Sequence, residues 1–172
     1  MSLSLLFIFL TPSSRPTRVT LPMIDGTGGI ALDINAIGEW STVNGLCGYT
    51  WNATNHTNAY DCSTDSYPVA FTSSENARLS LKAPANTSLF TIYGTLSYSY
   101  GPFQIGTADY DYDDQTQTYT AQSNYTRGNT ALYTGALDPR VENAINIDHL
   151  GLPSGESSGF DVYQVIFYLA VG

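Results

Sequence analysis

The stretch LSLKAPANTSLFTIYGTLSYSYGPFQIGTADYDY, from Leu79 to Tyr112, decides the fold. Leu79 and Leu81 alternate with Ser80 and Lys82, Phe90 and Ile92 alternate with Thr91 and Tyr93, and Ala83-Pro84 and Gly101-Pro102 punctuate the run. Apolar–polar alternation at period two, in short segments broken by Gly and Pro, marks half-buried antiparallel strands. Outward from this stretch, strands are expected at Val19–Ile24, Val69–Thr72, Ala77–Ala83, Leu89–Tyr93, Ser97–Tyr100, Phe103–Tyr112, Thr116–Gln122, Ala131–Thr134, Ala144–His149 and Phe160–Ala170. Ile30–Ile34 reads as a strand or a single helical turn, after a strong turn signal at Asp25-Gly26-Thr27-Gly28-Gly29. Asn44–Tyr67 reads as a long polar loop, a kind of segment that often carries function. Strands without a convincing helix predict an all-β, antiparallel β-sandwich, in which two sheets each bury one face.

With 172 residues there is room for one domain with a sizeable core, expected over residues 18–172. Residues 1–17 are read as a signal segment and linker. Leu3–Leu10 is an apolar run of h-region length, far short of a membrane span, although no basic residues precede it. The alternative is a hydrophobic first strand. Val162–Val171 is likewise too short to span and reads as a last buried strand. Lys82 is the only lysine, against 15 acidic residues and 13 tyrosines, and the net charge is −9. Nucleic acid and anionic membrane surfaces need clustered Lys and Arg, so neither is expected as a partner.

Cys47 and Cys62 close a loop rich in Asn, Thr and Tyr. In an exported chain they are expected to form a disulfide, worth about 3 kcal/mol for a loop of about 15 residues. Sequons stand at Asn52, Asn55, Asn86 and Asn124. The apolar leader, the paired cysteines and the sequons together predict a secreted or cell-surface glycoprotein.

Several motifs resemble those of the galactose-binding-like, jelly-roll β-sandwich domains of fungal secreted and surface proteins. They are an early strand with an acidic end (Val19–Asp25), Gly38-Glu39-Trp40, a Cys-bearing variable loop, and Phe90–Thr95 followed by Tyr100–Ile105. Gly135-Ala136-Leu137-Asp138 and Phe160-Asp161-Val162-Tyr163 complete the set, so the similarity runs over roughly residues 18–170. The chain departs from the pattern in lacking a histidine-led strand after Leu137, and residues 1–172 include no Ser/Thr-rich stalk or membrane helix after the last expected strand. The resemblance implies a carbohydrate-binding or surface-interaction module that meets a glycan or cell-wall polysaccharide. It implies no catalytic residues, and membrane attachment only through a segment outside this chain.

Aromatic side chains are the expected ligand contacts, because sugar C–H faces stack on Trp and Tyr while amides and acids take the hydroxyls. Tyr49, Trp51 and Tyr60 lie in the long loop, and Tyr98 and Tyr100 flank a strand turn. A glycan on Asn52 would crowd Trp51, and Trp40 is assigned to the core. Asp109, Asp111 and Asp113 offer hard oxygen ligands at alternate positions and are the candidate Ca²⁺ ligands, although a solvated strand face explains the spacing too. No other cofactor is expected.

Three patterns are read as decoys or neutral features. Gly155-Glu156-Ser157-Ser158-Gly159 matches a nucleophile elbow, but a strand follows it and no histidine lies downstream. Gly26–Ala31 matches a loose dinucleotide fingerprint outside any βαβ pattern. His149 is read as a strand-edge residue, and His56 and His149 make no zinc spacing. The competing functional readings are a glycoside hydrolase with two carboxylates across a cleft, and a purely structural ectodomain piece.

Overall fold

The computed structural model describes residues 16–31, 34–44, 49–52, 57–60, 68–109, 117–152 and 158–170, with 49–52 and 57–60 described by their backbone pairing. Among the described residues there are fourteen strands, beginning with β1 (Thr17–Pro22), β2 (Ile34–Ile37), β3 (Ser41–Asn44), β4 (Tyr49–Asn52), β5 (Thr57–Tyr60), β6 (Pro68–Thr72) and β7 (Arg78–Lys82). The second half supplies β8 (Thr87–Leu96), β9 (Pro102–Asp109), β10 (Gln117–Thr120), β11 (Arg127–Ala136), β12 (Asn143–His149), β13 (Phe160–Val162) and β14 (Gln164–Leu169). They form a five-stranded sheet in the order β10-β9-β12-β7-β2, a four-stranded sheet β1-β14-β8-β11, a three-stranded sheet β13-β6-β3 and the ribbon β4-β5. Every strand pair is antiparallel. Among the described residues there is no helix, and so none long and apolar enough to cross a membrane.

Alternation decides which face of each strand is inside. In β7 Leu79 and Leu81 are buried while Lys82 is exposed, and in β12 Ile145 and Ile147 are fully buried beside half-buried Asn146. The opposing layer contributes Phe90 and Ile92 from β8, Phe160 from β13 and Phe167 from β14. The layers meet where Phe103 stacks on Phe160 at 4.9 Å and Tyr119 packs on Tyr133 at 4.8 Å between ring centroids. Such aromatic pairs add to the area they bury. The result is the expected all-β antiparallel sandwich with one continuous core.

Three expectations are corrected. Phe160–Ala170 is two strands: β13 pairs with β6 and β14 lies between β1 and β8, with Tyr163 at the switch. The Tyr163 N–H donates to the Tyr93 carbonyl and its own carbonyl accepts from Met23. Ser97–Tyr100 is a turn, closed by the Tyr100 N–H on the Ser97 carbonyl. The region read as one long loop includes β4 and β5, whose Tyr, Trp and Thr suit a strand despite the polar surroundings. The apolar run 3–10 lies outside the described residues.

Candidate functional site

The outward face of the five-stranded sheet is polar. Register aligns one row across it, Thr118–Gln104–Asp148–Arg78–Ile37, and a second row, Gly106–Asn146–Ser80–Asn35. Within the second row the Ser80 hydroxyl donates to Asn146 Oδ1 at 2.7 Å. Within the first, Arg78 grips Asp148 with two bonds, Nε to Oδ1 at 2.6 Å and Nη2 to Oδ2 at 3.1 Å. The Asp148 side chain is only 10% exposed and that of Arg78 41%.

This row forms the floor of a pocket of about 290 Å³, lined by Ile37, Asn76, Arg78, Gln104, Asp148 and Leu150. Its rim is set by backbone. Asn76 has φ 61°, a conformation that Asn tolerates better than most residues, and its N–H donates to the His149 carbonyl at 2.8 Å. Gly38, at φ 87°, ends β2 against Ala77, where a Cβ would stand 3.0 Å from the Ala77 Cα. Ile37 is thereby left 53% exposed at the mouth, with the Trp40 indole N–H donating to its carbonyl. Amide, guanidinium and carboxylate groups thus meet two aliphatic side chains in one small hollow. A second hollow, of about 550 Å³, is lined by Val19, Leu21, Lys82, Ala83, Pro84, Ala85 and Phe167. It offers one polar side chain and little to orient a hydroxylated ligand.

Beside the pocket end of β9 lies a turn edge. The Ser97 carbonyl accepts from the Ser123 N–H, and Ser97 Oγ stands 3.3 Å from Thr126 Oγ1, which ties the 97–100 turn to the 121–126 loop. Tyr98 and Tyr125, each next in sequence to one of these hydroxyls, are 65% and 49% exposed. Tyr100 is the opposite case. It is 4% exposed and donates its hydroxyl to Asp161 Oδ2 at 2.7 Å, so it is a core residue and not a ligand contact. Asp161 is fully buried, and burial raises its pKa against the Tyr100 and Thr95 hydrogen bonds that lower it.

His149 is also corrected from edge to core. It is fully buried, stacks parallel to Phe160, and its Nδ1 donates to the Ser74 carbonyl at 2.9 Å, which leaves Nε2 to accept the Ser158 hydroxyl at 3.0 Å. This hydroxyl–imidazole pair comes from the decoy motif, through Ser158 and not Ser157. With Ser158 2% exposed and a backbone carbonyl on Nδ1, it is a buried structural bond closed to a substrate.

Of the other expected residues, Tyr49 pairs with Tyr60 and Trp51 with Asn58 in the β4–β5 ribbon. Asp109 ends β9 opposite Asn143, whereas Asp111, Asp113, Cys47, Cys62 and Asn55 lie outside the described residues. Asn52 ends β4, and Asn86 and Asn124 are exposed. Sequence reading missed Arg78, Asp148, Gln104, Asn76 and Ile37. Their alternation with core leucines and isoleucines was visible, but the fork joins residues 70 apart, and only strand order brings those together.

No protein-family model matches the chain, and no curated protein does either. Solved structures do. A two-domain esterase active on acetylated mannans, co-crystallized with mannopentaose, aligns with a TM-score of 0.52 at 11% identity, over 95% of this chain and 39% of its own. The chain therefore spans about two fifths of that esterase. The CBM36-1 domain of a multidomain xylanase from the hindgut metagenome of Trinervitermes trinervoides aligns at 0.49 and 9% identity, over 91% of this chain and all of that one. The CBM22-1 xylan-binding domain of Xyn10C from Paenibacillus barcinonensis gives 0.47 and 11%, over 93% and 99%. At these identities the likeness is one of fold.

Proposed function

We propose that the chain is a non-catalytic glycan-binding module of an exported or cell-surface protein, and that the Ile37/Arg78/Asp148/Gln104 pocket receives a sugar ring. The observation that carries the reading is the pocket itself. Its volume, about 290 Å³, lies at the small end of ligand sites, and it sets amide and charged groups beside exposed aliphatic surface. That combination suits a ring with hydroxyl edges and C–H faces. The esterase named above, which is active on acetylated mannans and aligns over nearly all of this chain, adds support. The exposed tyrosines of the turn edge and the aromatic β4–β5 ribbon belong to the same reading as flanking contacts. So do membership of the galactose-binding-like domains, the Cys47–Cys62 bridge and the sequon glycans.

The test is calorimetric titration with neutral β-1,4-linked manno-, xylo-, cello- and galactopentaose. At least one should bind. Gln104→Ala and Asn76→Gly, which remove outward polar groups without straining the left-handed backbone at position 76, should each weaken that binding by about three- to tenfold with a nearly unchanged melting temperature. Unaltered binding in both variants removes the sugar from this face. Intact-mass spectrometry of the secreted chain under non-reducing conditions should show the bridge, and two free thiols would contradict the export reading.

A further inference from the structure

The pocket holds one cation, and it is already answered from within. Arg78 commits Nε and Nη2 to the two oxygens of Asp148, in the parallel two-bond geometry that a guanidinium also adopts on a ligand carboxylate. The pair lies directly in register between β7 and β12, at the centre of the row that floors the pocket. The fixed charge of the lining therefore sums to zero, and the remaining polar groups are the uncharged amides of Asn76 and Gln104. The net charge adds no attraction for an anion, since the chain carries −9 overall, and Lys82, on the same strand as Arg78, is itself paired with Glu142.

We propose that the Arg78–Asp148 fork is the specificity element of this pocket: it restricts the ligand to neutral sugars and turns away the uronates that differ from them by one carboxylate. An acidic sugar would have to displace Asp148 from Arg78 and leave that carboxylate nearly buried without its partner. The inference rests on the glycan-binding reading and deepens it by naming the class of ligand.

Two measurements test it. In the first, the unmodified chain is titrated with the four neutral pentasaccharides and with pentamannuronate and pentagalacturonate. All titrations are made in about 0.5 M NaCl, where long-range repulsion by the net charge is screened. A neutral sugar should bind at least about tenfold more tightly than either uronate, the scale of one charge-assisted hydrogen bond. Uronate binding equal to or tighter than neutral binding overturns the proposal. In the second, Asp148→Asn removes the carboxylate that answers the guanidinium within the fork and should raise uronate affinity by about tenfold or more, a gain that Arg78→Gln/Asp148→Asn lacks. A folded Asp148→Asn with no gain overturns the proposal while leaving the glycan reading intact. If Asp148→Asn fails to fold, the first measurement decides alone. Should no sugar of either kind bind the unmodified chain, the glycan reading falls and takes the proposal with it.

Discussion

Asp161 shows what a single side chain does in this sandwich. Its Oδ1 accepts the Thr95 N–H at 2.7 Å and its Oδ2 the Tyr100 hydroxyl at 2.7 Å, so one carboxyl fastens β13 both to β8 and to the connection between β8 and β9. Burial raises its folded pKa above the unfolded value. The sign follows: the stability it contributes is fully present below about pH 4 and is lost as pH rises through the raised folded value. Asp161→Asn can keep both contacts, its oxygen accepting from Thr95 and its amide donating to Tyr100, without any charge. Its melting temperature relative to the parent should therefore climb as pH rises above about 4. A difference that stays flat over that range, in scanning fluorimetry, would refute the buried-charge account. Asp138, drawn down to about 2 by its hydrogen bond from Arg140, acts in the opposite sense and in another window, since its contribution is lost only as pH falls below about 4.

At the scale of elements, β8 and β13 approach each other closely at Gly94. A Cβ on Gly94 would stand 2.4 Å from the Asp161 carbonyl oxygen and 2.6 Å from Leu132 Cδ1. The leucine can move, but the backbone carbonyl cannot without shifting β13. Gly94→Ala should cost about 1–3 kcal/mol in urea denaturation, and an unchanged midpoint would mean that the two strands separate easily. Much at this scale was legible in the sequence. Leu79/Leu81, Phe90/Ile92 and Ile145/Ile147 announce strands with a buried face, and all six residues are in the core. What escaped is what alternation does not encode. The break at Tyr163 escaped, because Phe160–Val162 and Val165–Phe167 on either side of it are both buried and both strand-forming, and no Gly or Pro separates them. Tyr100 resembled a ligand contact because a tyrosine beside a Gly-Pro turn looks the same whether its hydroxyl faces solvent or a buried aspartate 61 residues away. The pocket was illegible for the same reason, since its floor is assembled by a strand order that β-alternation leaves open.

At the scale of the molecule, the polar sheet face and the tyrosine-bearing turn share one end. Tyr98 precedes Gln104 by six residues, a separation of at most roughly 20 Å even in extended chain. A glycan seated in the pocket therefore needs only a few rings to reach the exposed tyrosine edge, and the two contacts then act as linked sites whose effect grows with ligand length. Tyr98→Ala should leave the melting temperature unchanged, because the side chain is 65% exposed. It should weaken binding little for a disaccharide and by about three- to tenfold for a long polymer, the loss of one stacking contact. Trp51→Ala in the β4–β5 ribbon is expected to behave in the same way if that ribbon flanks the ligand. Trp40→Ala is the contrasting case. Trp40 packs against the core and bonds the Ile37 carbonyl at the pocket mouth, so its loss should lower both the melting temperature and the affinity for ligands of every length. Equal losses for short and long ligands in Tyr98→Ala would put that tyrosine in the same subsite as Gln104. No loss at any length would confine recognition to the sheet face, and a large drop in stability for Trp51→Ala would assign the ribbon to the core instead of the ligand.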